Sequence, residues 1–276
     1  MGKPREEGTG LITVQSLWIG ESLSELEALC IRSFLHHGHP FHLYTYGNVG
    51  NIPEGTVIRD ASEIIPKDQI YRVRDSLAIF SDQFRWELLC RQGGCWVDMD
   101  MICLQPFDFE EEVVFGLQGE GQVATGVLIF PQGHPIACDV AETCRHPHRV
   151  LPWDTLYDRC RKWVNRNLRG NRREHLRWGE SGGPKGLTRV LKYGGILDQA
   201  QPVHRFYPVE APRWKAHFDG TFRNGLEEFS DSHSTHLWNE ILTAKRFQSE
   251  RSEMSIDKNG PFIEGSFIDQ MMRLYR

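Results

Sequence analysis

Apolar positions in the first half of the chain recur in two rhythms. Residues 11–18 are apolar and β-prone. Ser22 and Ser24 each stand three residues before a glutamate, Glu25 and Glu27, the spacing of a capping box that starts a helix. That segment carries Leu23, Leu26, Leu29, Cys30 and Phe34 at helical spacing and stops at Gly38, before His39-Pro40. Residues 41–46 alternate as a strand, and 56–58 read as another. A helix is predicted over 76–92, where Leu77, Phe80, Phe84 and Leu88 form one stripe and Gly93-Gly94 ends it. Residues 95–101 have the period of two of a strand, and 113–117 and 123–130 are further strands. This alternation is that of an α/β fold, a mostly parallel central sheet covered by helices. The second half is less regular, with helices expected at 135–144, 187–193 and 237–247.

Composition narrows the class. The 276 residues are 39% hydrophobic and 25% charged, with net charge −5, the profile of a globular chain rather than a disordered or fibrous one. A mildly acidic total argues against general nucleic-acid binding. No apolar run reaches the roughly 20 residues of a membrane span, and the first residues show neither a signal peptide nor a myristoylation pattern. Seven cysteines without a CxxC pair read as reduced, intracellular thiols. The expected organisation is a disordered segment at 1–10 and a single domain over 11–276.

Chemistry concentrates at Asp98 and Asp100. On a strand, residues two apart share a face, so Trp96, Asp98 and Asp100 are expected together, with Cys95, Val97, Met99 and Met101 opposite. Two adjacent carboxylates repel unless a cation neutralises them, and Mg²⁺ or Mn²⁺ suits oxygen ligands while leaving positions for phosphates. Asp-x-Asp alone is equally a pair of solvated acids. Asp82 and Arg85 lie at i, i+3 on the preceding helix. They form either an intrahelical ion pair worth about 0.2–0.5 kcal/mol or a unit in which Asp82 accepts from sugar hydroxyls and Arg85 donates to a sugar or diphosphate.

The flanks resemble a known family. Ser81-Asp82-Gln83-Phe84-Arg85, Gly93-Gly94-Cys95-Trp96-Val97-Asp98-Met99-Asp100 and Cys103-Leu104-Gln105-Pro106-Phe107 look like the core of glycosyltransferases carrying the DXD motif, nearest to glycosyltransferase family 32 and related to the glucosylating toxins. Leu17-Trp18-Ile19-Gly20, Gly183-Pro184 before Leu187-Thr188, His236-Leu237-Trp238-Asn239-Glu240, and Asp257-Lys258 with Gly265-Ser266-Phe267 extend the resemblance over nearly the whole chain. It implies a GT-A fold with 11–130 as the nucleotide-sugar-binding half and 131–276 as the acceptor-side half, a nucleotide-sugar donor (UDP rather than GDP), Mn²⁺ or Mg²⁺ as cofactor, and retention of anomeric configuration. By position, Asp100 is the main metal ligand. Asp98 contacts ribose and sugar, or the metal through water, and His236 binds metal or diphosphate. Trp18 stacks on the base with Ile19 and Gly20 beside it. Asp82, Arg85, Thr125, Gly183 and Lys258 fall at donor-contacting positions.

Other signals carry less. Gly179-Glu180-Ser181-Gly182-Gly183 fits GxSxG, but a basic segment replaces the strand that a nucleophile elbow needs. A haloacid-dehalogenase phosphatase also opens with DxD, yet Ile102 stands where Thr or Val is wanted. A non-catalytic sugar-nucleotide or glycan binder is the alternative of a different class. His36, His37, His39 and His42 read as solvated histidines rather than a metal cluster. Residues 159–179 hold eight Arg or Lys against Glu174. The cations at 159–177 read as one helix face, a patch for an acceptor or an anionic membrane. The expected partners are thus a nucleotide sugar, a glycan or lipid-linked acceptor and an anionic membrane surface, with a cytoplasmic location peripheral to the inner membrane.

Overall fold

The computed structural model describes residues 10–119, 121–243 and 256–276, so the expected disorder at 1–10 lies almost wholly outside the described residues. In chain order the strands are β1 (Val14–Trp18), β2 (Phe41–Thr45), β3 (Thr56–Asp60), β4 (Gly94–Val97), β5 (Met101–Cys103), β6 (Val114–Gly119), β7 (Gln122–Phe130) and β8 (Ser234–His236). The main helices are α1 (Glu25–His36), α2 (Ala78–Arg91), α3 (Pro135–Arg145), α4 (Leu156–Asn167) and α5 (Pro184–Tyr193). A mostly parallel six-stranded sheet runs in the order β3-β2-β1-β4-β7-β6, with β6 antiparallel to β7, and β5 pairs separately with β8.

The chain divides into two compact units. The first takes Asp60–Trp96 and Glu110–Gln201, and the second takes the described residues up to Arg59, Val97–Phe109 and those from Pro202 onward. In the second unit, Ser24 caps α1 through the expected capping box with Glu27, and β1 runs parallel to β2 with Trp18 opposite Thr45. Its core joins Leu26, Leu29 and Cys30 of α1 to Ile102, Trp214, Phe218, Phe229, Leu237 and Phe267. The helix expected at 237–247 begins as Asn239–Thr243, and its continuation lies outside the described residues. His39 and His42 are buried, which corrects the reading of solvated histidines. The Phe107 N–H donates to His39 Nε2 (2.9 Å), so His39 Nδ1–H donates to the Ile12 carbonyl (3.0 Å).

His217 is a further structural histidine of this unit. Fully buried, it donates from Nδ1 to the Trp214 carbonyl (3.2 Å) and accepts at Nε2 from the Thr235 hydroxyl (2.8 Å). Burial pushes its pKa down to about 4, so the native state holds it neutral where the unfolded chain protonates it. The stability it confers is complete above the unfolded value of about 6.5 and declines as pH falls towards 4, by about 3 kcal/mol in all. Urea midpoints between pH 7 and 4 should fall more steeply for the wild type than for His217→Gln. Parallel slopes would refute this.

In the first unit, α2 packs against α3, and Cys90 and Cys138 join the two helices through a disulfide. This corrects the reading of all seven cysteines as reduced thiols: the free ones are Cys30, Cys95, Cys103, Cys144 and Cys160. The sequence contains no signal for the pair because two neighbouring helices bring its Cα atoms to 4.8 Å across a separation of 48 residues. Closing a loop of that length contributes about 4 kcal/mol in the chain-entropy picture. The helix α5 lies on β7, where the Val123 N–H donates to the Thr188 hydroxyl (3.0 Å).

Candidate functional site

The acidic pair is placed by a turn and not by an extended strand. β4 ends at Val97, whose carbonyl accepts from the Ser16 hydroxyl (2.7 Å). Residues 98–100 then turn, closed by the Met101 N–H donating to the Asp98 carbonyl (3.1 Å). Trp96 is buried with Cys95 and Val97, so it does not share an open face with the acids as simple alternation predicts. Both faces of β4 are covered, as befits an inner strand.

The third member comes from β8. The antiparallel register sets Met101 opposite His236, and the Leu237 N–H donates to the Asp100 carbonyl (2.9 Å). His236 Nε2 thereby lies 3.0 Å from Asp100 Oδ2. One ligand atom each from Asp98, Asp100 and His236 falls within 4.8 Å of the others, the one such metal-sized group among the described residues. Trp238 follows with φ +56°, a left-handed conformation unusual for a bulky side chain. That turn points the Asn239 N–H at Asp100 Oδ2 (2.8 Å), while the Trp238 ring packs 4.2 Å from that of His236 and its indole N–H donates to the Val209 carbonyl (2.8 Å). Burial pushes the Asp100 carboxyl up, but His236, the Asn239 N–H and Lys258 outweigh it and hold the group below the usual carboxylate range.

A buried carboxylate stands behind this cluster. Glu27, completely buried, accepts from the Asn239 side-chain amide (2.7 Å) and from the Ser24 N–H (2.9 Å), and pairs with Lys258. Lys258, placed by resemblance at the donor, thus neutralises Glu27, and its carbonyl accepts from the Leu26 N–H (3.2 Å). Glu27 was legible as a capping residue. Its link to the cluster was not, because Asn239 lies 212 positions away. Trp18 closes β1, and its buried indole N–H has no acceptor among the described residues. Gly20 makes room for that ring: a β-carbon there would sit 2.9 Å from the indole nitrogen. Ile19 is half-buried between them.

The remaining candidates belong to the first unit. Arg85 is buried, forms with Asp82 the intrahelical ion pair that their spacing allows (3.0 Å) and lies 5.1 Å from the Trp96 ring centroid. Gly183, the N-cap of α5, backs onto this pair, since a β-carbon on it would stand 3.1 Å from Asp82 Oδ2. The Trp86 indole N–H, unremarked in the sequence, donates to the Gly182 carbonyl (2.6 Å) and anchors the glycine loop. Thr125 is buried within β7. Residues 159–177 do not form one helix: α4 ends at Asn167, and a 3₁₀ turn carries Arg173 to His175. The intervening Gly170 and Asn171 both take left-handed backbone.

Residues 174–258 match a family model described as the alpha 1,4-glycosyltransferase conserved region. Human alpha-1,4-N-acetylglucosaminyltransferase is 23% identical over 216 residues, 74% of this chain and 53% of that protein. Lactosylceramide 4-alpha-galactosyltransferase is 25% identical over 185 residues in human and gorilla, covering 63% of this chain and 45% and 48% of those proteins. The chain thus spans about half the length of these relatives. The solved PaToxG glycosyltransferase aligns at a TM-score of 0.44 with 13% identity, over 68% of this chain and 72% of that one. The sequence likeness is to glycosyltransferases, and the matched segment carries His236, Asn239 and Lys258.

Proposed function

We propose that the chain is a metal-dependent, retaining glycosyltransferase that moves a sugar from a UDP-sugar to a glycan or lipid-linked acceptor, forming an α-1,4 linkage. The observation that carries this reading is the convergence of Asp98, Asp100 and His236 on one small volume. Two carboxylates and an imidazole suit a divalent ion that accepts nitrogen beside oxygen, so Mn²⁺ fits better than Mg²⁺. Once bound there, such an ion supplies Lewis-acid stabilisation of a diphosphate leaving group. The protein's own part is to hold the ligands: the Asn239 N–H fixes one oxygen of Asp100, and Glu27 fixes the Asn239 side chain. Trp18 offers a ring for the base and an N–H for a donor atom, and Asp82 and Arg85 offer an acceptor and a fork of donors for sugar hydroxyls. The α-1,4 linkage is taken from the matching family and relatives.

Release of UDP from UDP-sugars with Mn²⁺, and its loss under chelator, tests the reaction. The anomeric proton coupling of the product tests the stereochemistry. Donor binding without release would overturn the enzymatic reading in favour of a nucleotide-sugar binder. Glu27→Gln should weaken Mn²⁺ binding about 10- to 100-fold in calorimetry without donor, because it removes the charge that orients Asn239. Unaltered affinity would remove Glu27 from the site.

A further inference from the structure

The helix α4 is folded inside out. Asp158, Arg161, Lys162 and Asn165, at i, i+3, i+4 and i+7, face the protein. Asp158 and Asn165 are buried, and Arg161 and Lys162 are only 13% exposed at the side chain. Each has a partner there. Arg161 pairs with Glu180 (2.8 Å) and Asp158 (3.4 Å), Lys162 pairs with Asp154 (2.8 Å), and the Asn165 amide meets His148 (3.5 Å). The opposite face carries the apolar residues. Leu156 is 83% exposed and Trp163, seven positions on, 52%, while Leu168 at the C-cap (69%) and Tyr157 (64%) are exposed to one side of it. Helices of globular proteins turn such a stripe inward, and a contiguous exposed patch of large apolar side chains marks a surface that meets something.

Charge selects the occupant. Of the acids near this face, Asp154 and Asp158 are buried and paired with Lys162 and Arg161, which leaves exposed Glu174 against four exposed arginines, Arg159, Arg166, Arg169 and Arg172. A second copy docking across a two-fold axis would set this arginine rim against itself. Anionic lipid headgroups would neutralise it, while Leu156 and Trp163 entered the headgroup–acyl boundary with Leu168 at its edge, the side-chain chemistry of interfacial helices. Beside the helix a cavity of about 440 Å³ gathers Arg74, Arg169 and Arg177 with Tyr157 and one carboxylate, Glu174, an excess of donors suited to a lipid phosphate. We infer that the outward face of α4 docks the protein on an anionic membrane surface. The inference stands apart from the metal cluster and from the reaction proposed above.

Co-sedimentation of the full chain with vesicles tests it, using phosphatidylcholine alone and phosphatidylcholine with phosphatidylserine. The wild type should partition at least tenfold more strongly to the anionic vesicles, and salt at about 0.5 M should abolish the difference. Arg159→Gln and Arg166→Gln should each lower partition by about fivefold. Combined Leu156→Ala, Trp163→Ala and Leu168→Ala should lower it at least tenfold with an unchanged melting temperature, since these side chains project from the surface. Equal recovery with both vesicles, or full binding by the triple variant, would overturn the inference. So would a lipid-free dimer that the triple variant dissolves, which would assign the face to self-association, or retention on an immobilised anionic polysaccharide without vesicle binding, which would assign it to a glycan.

Discussion

Replacing Asp100 by alanine should lower turnover about a thousandfold and abolish measurable Mn²⁺ binding. Asp100 joins three supports in one group: His236 at 3.0 Å, the Asn239 N–H at 2.8 Å and, through its own carbonyl, Leu237 at 2.9 Å. The alanine variant keeps the backbone contact and loses both side-chain contacts together with the charge. A lost transition-state stabiliser costs about 10²–10³ in rate, and loss of the cation's principal anchor adds to that. Asp100→Asn separates charge from shape, because its amide oxygen still accepts from Asn239. It should fold with a melting temperature within a few degrees of wild type while its Mn²⁺ affinity collapses. Calorimetry and a UDP-release assay on both variants measure this. Undiminished turnover in Asp100→Ala, insensitive to chelator, would end the metal-centred reading.

A large loss of stability is expected at Gly93. This residue has φ +68°, and a β-carbon on it would lie 2.4 Å from the Gln132 nitrogen and 2.9 Å from the Phe130 carbonyl oxygen. Both obstacles are backbone, which cannot rotate away as a side-chain tip can. Gly93→Ala therefore combines left-handed strain with a displaced main chain between α2 and β4. We expect a loss of about 3–5 kcal/mol, the range of mutations that force a backbone shift in a packed interior. In thermal denaturation that is a fall of roughly 10 °C for a chain of this size. Gly47 is the control: a β-carbon there would meet nothing within 4 Å, and its backbone is not left-handed. Its alanine variant should melt with the wild type. A Gly93→Ala protein as stable as that control would show that the Phe130–Gln132 turn yields freely.

Legibility from sequence followed the locality of the interaction. The start of α1 was readable because Ser24 and Glu27 are three residues apart and meet within one turn. The strands β2 and β7 and the helices α2 and α5 were readable because period and stop signals lie within each segment. Asp98 and Asp100 were identifiable, but their geometry was misjudged: alternation of apolar residues ran through Met99, and nothing local announced that extended backbone ends at Val97. The cystine depends on two helices meeting. The inverted face of α4 depends on which acids await its cations, Glu180 and Asp154 among them. Periodicity gives an amphipathic helix its stripe but not the side on which water stands. Glu27 and Asn239 show the same limit at the candidate site, since only tertiary folding makes them neighbours.

The short ladder between β5 and β8 has a consequence for biosynthesis. Carboxylates from the middle of the polypeptide acquire their imidazole partner only after the ribosome has made residue 236, and Glu27 receives its ammonium counterpart later still, at residue 258. A nascent chain would therefore present isolated acids until those residues had emerged, and cation capture would wait on them.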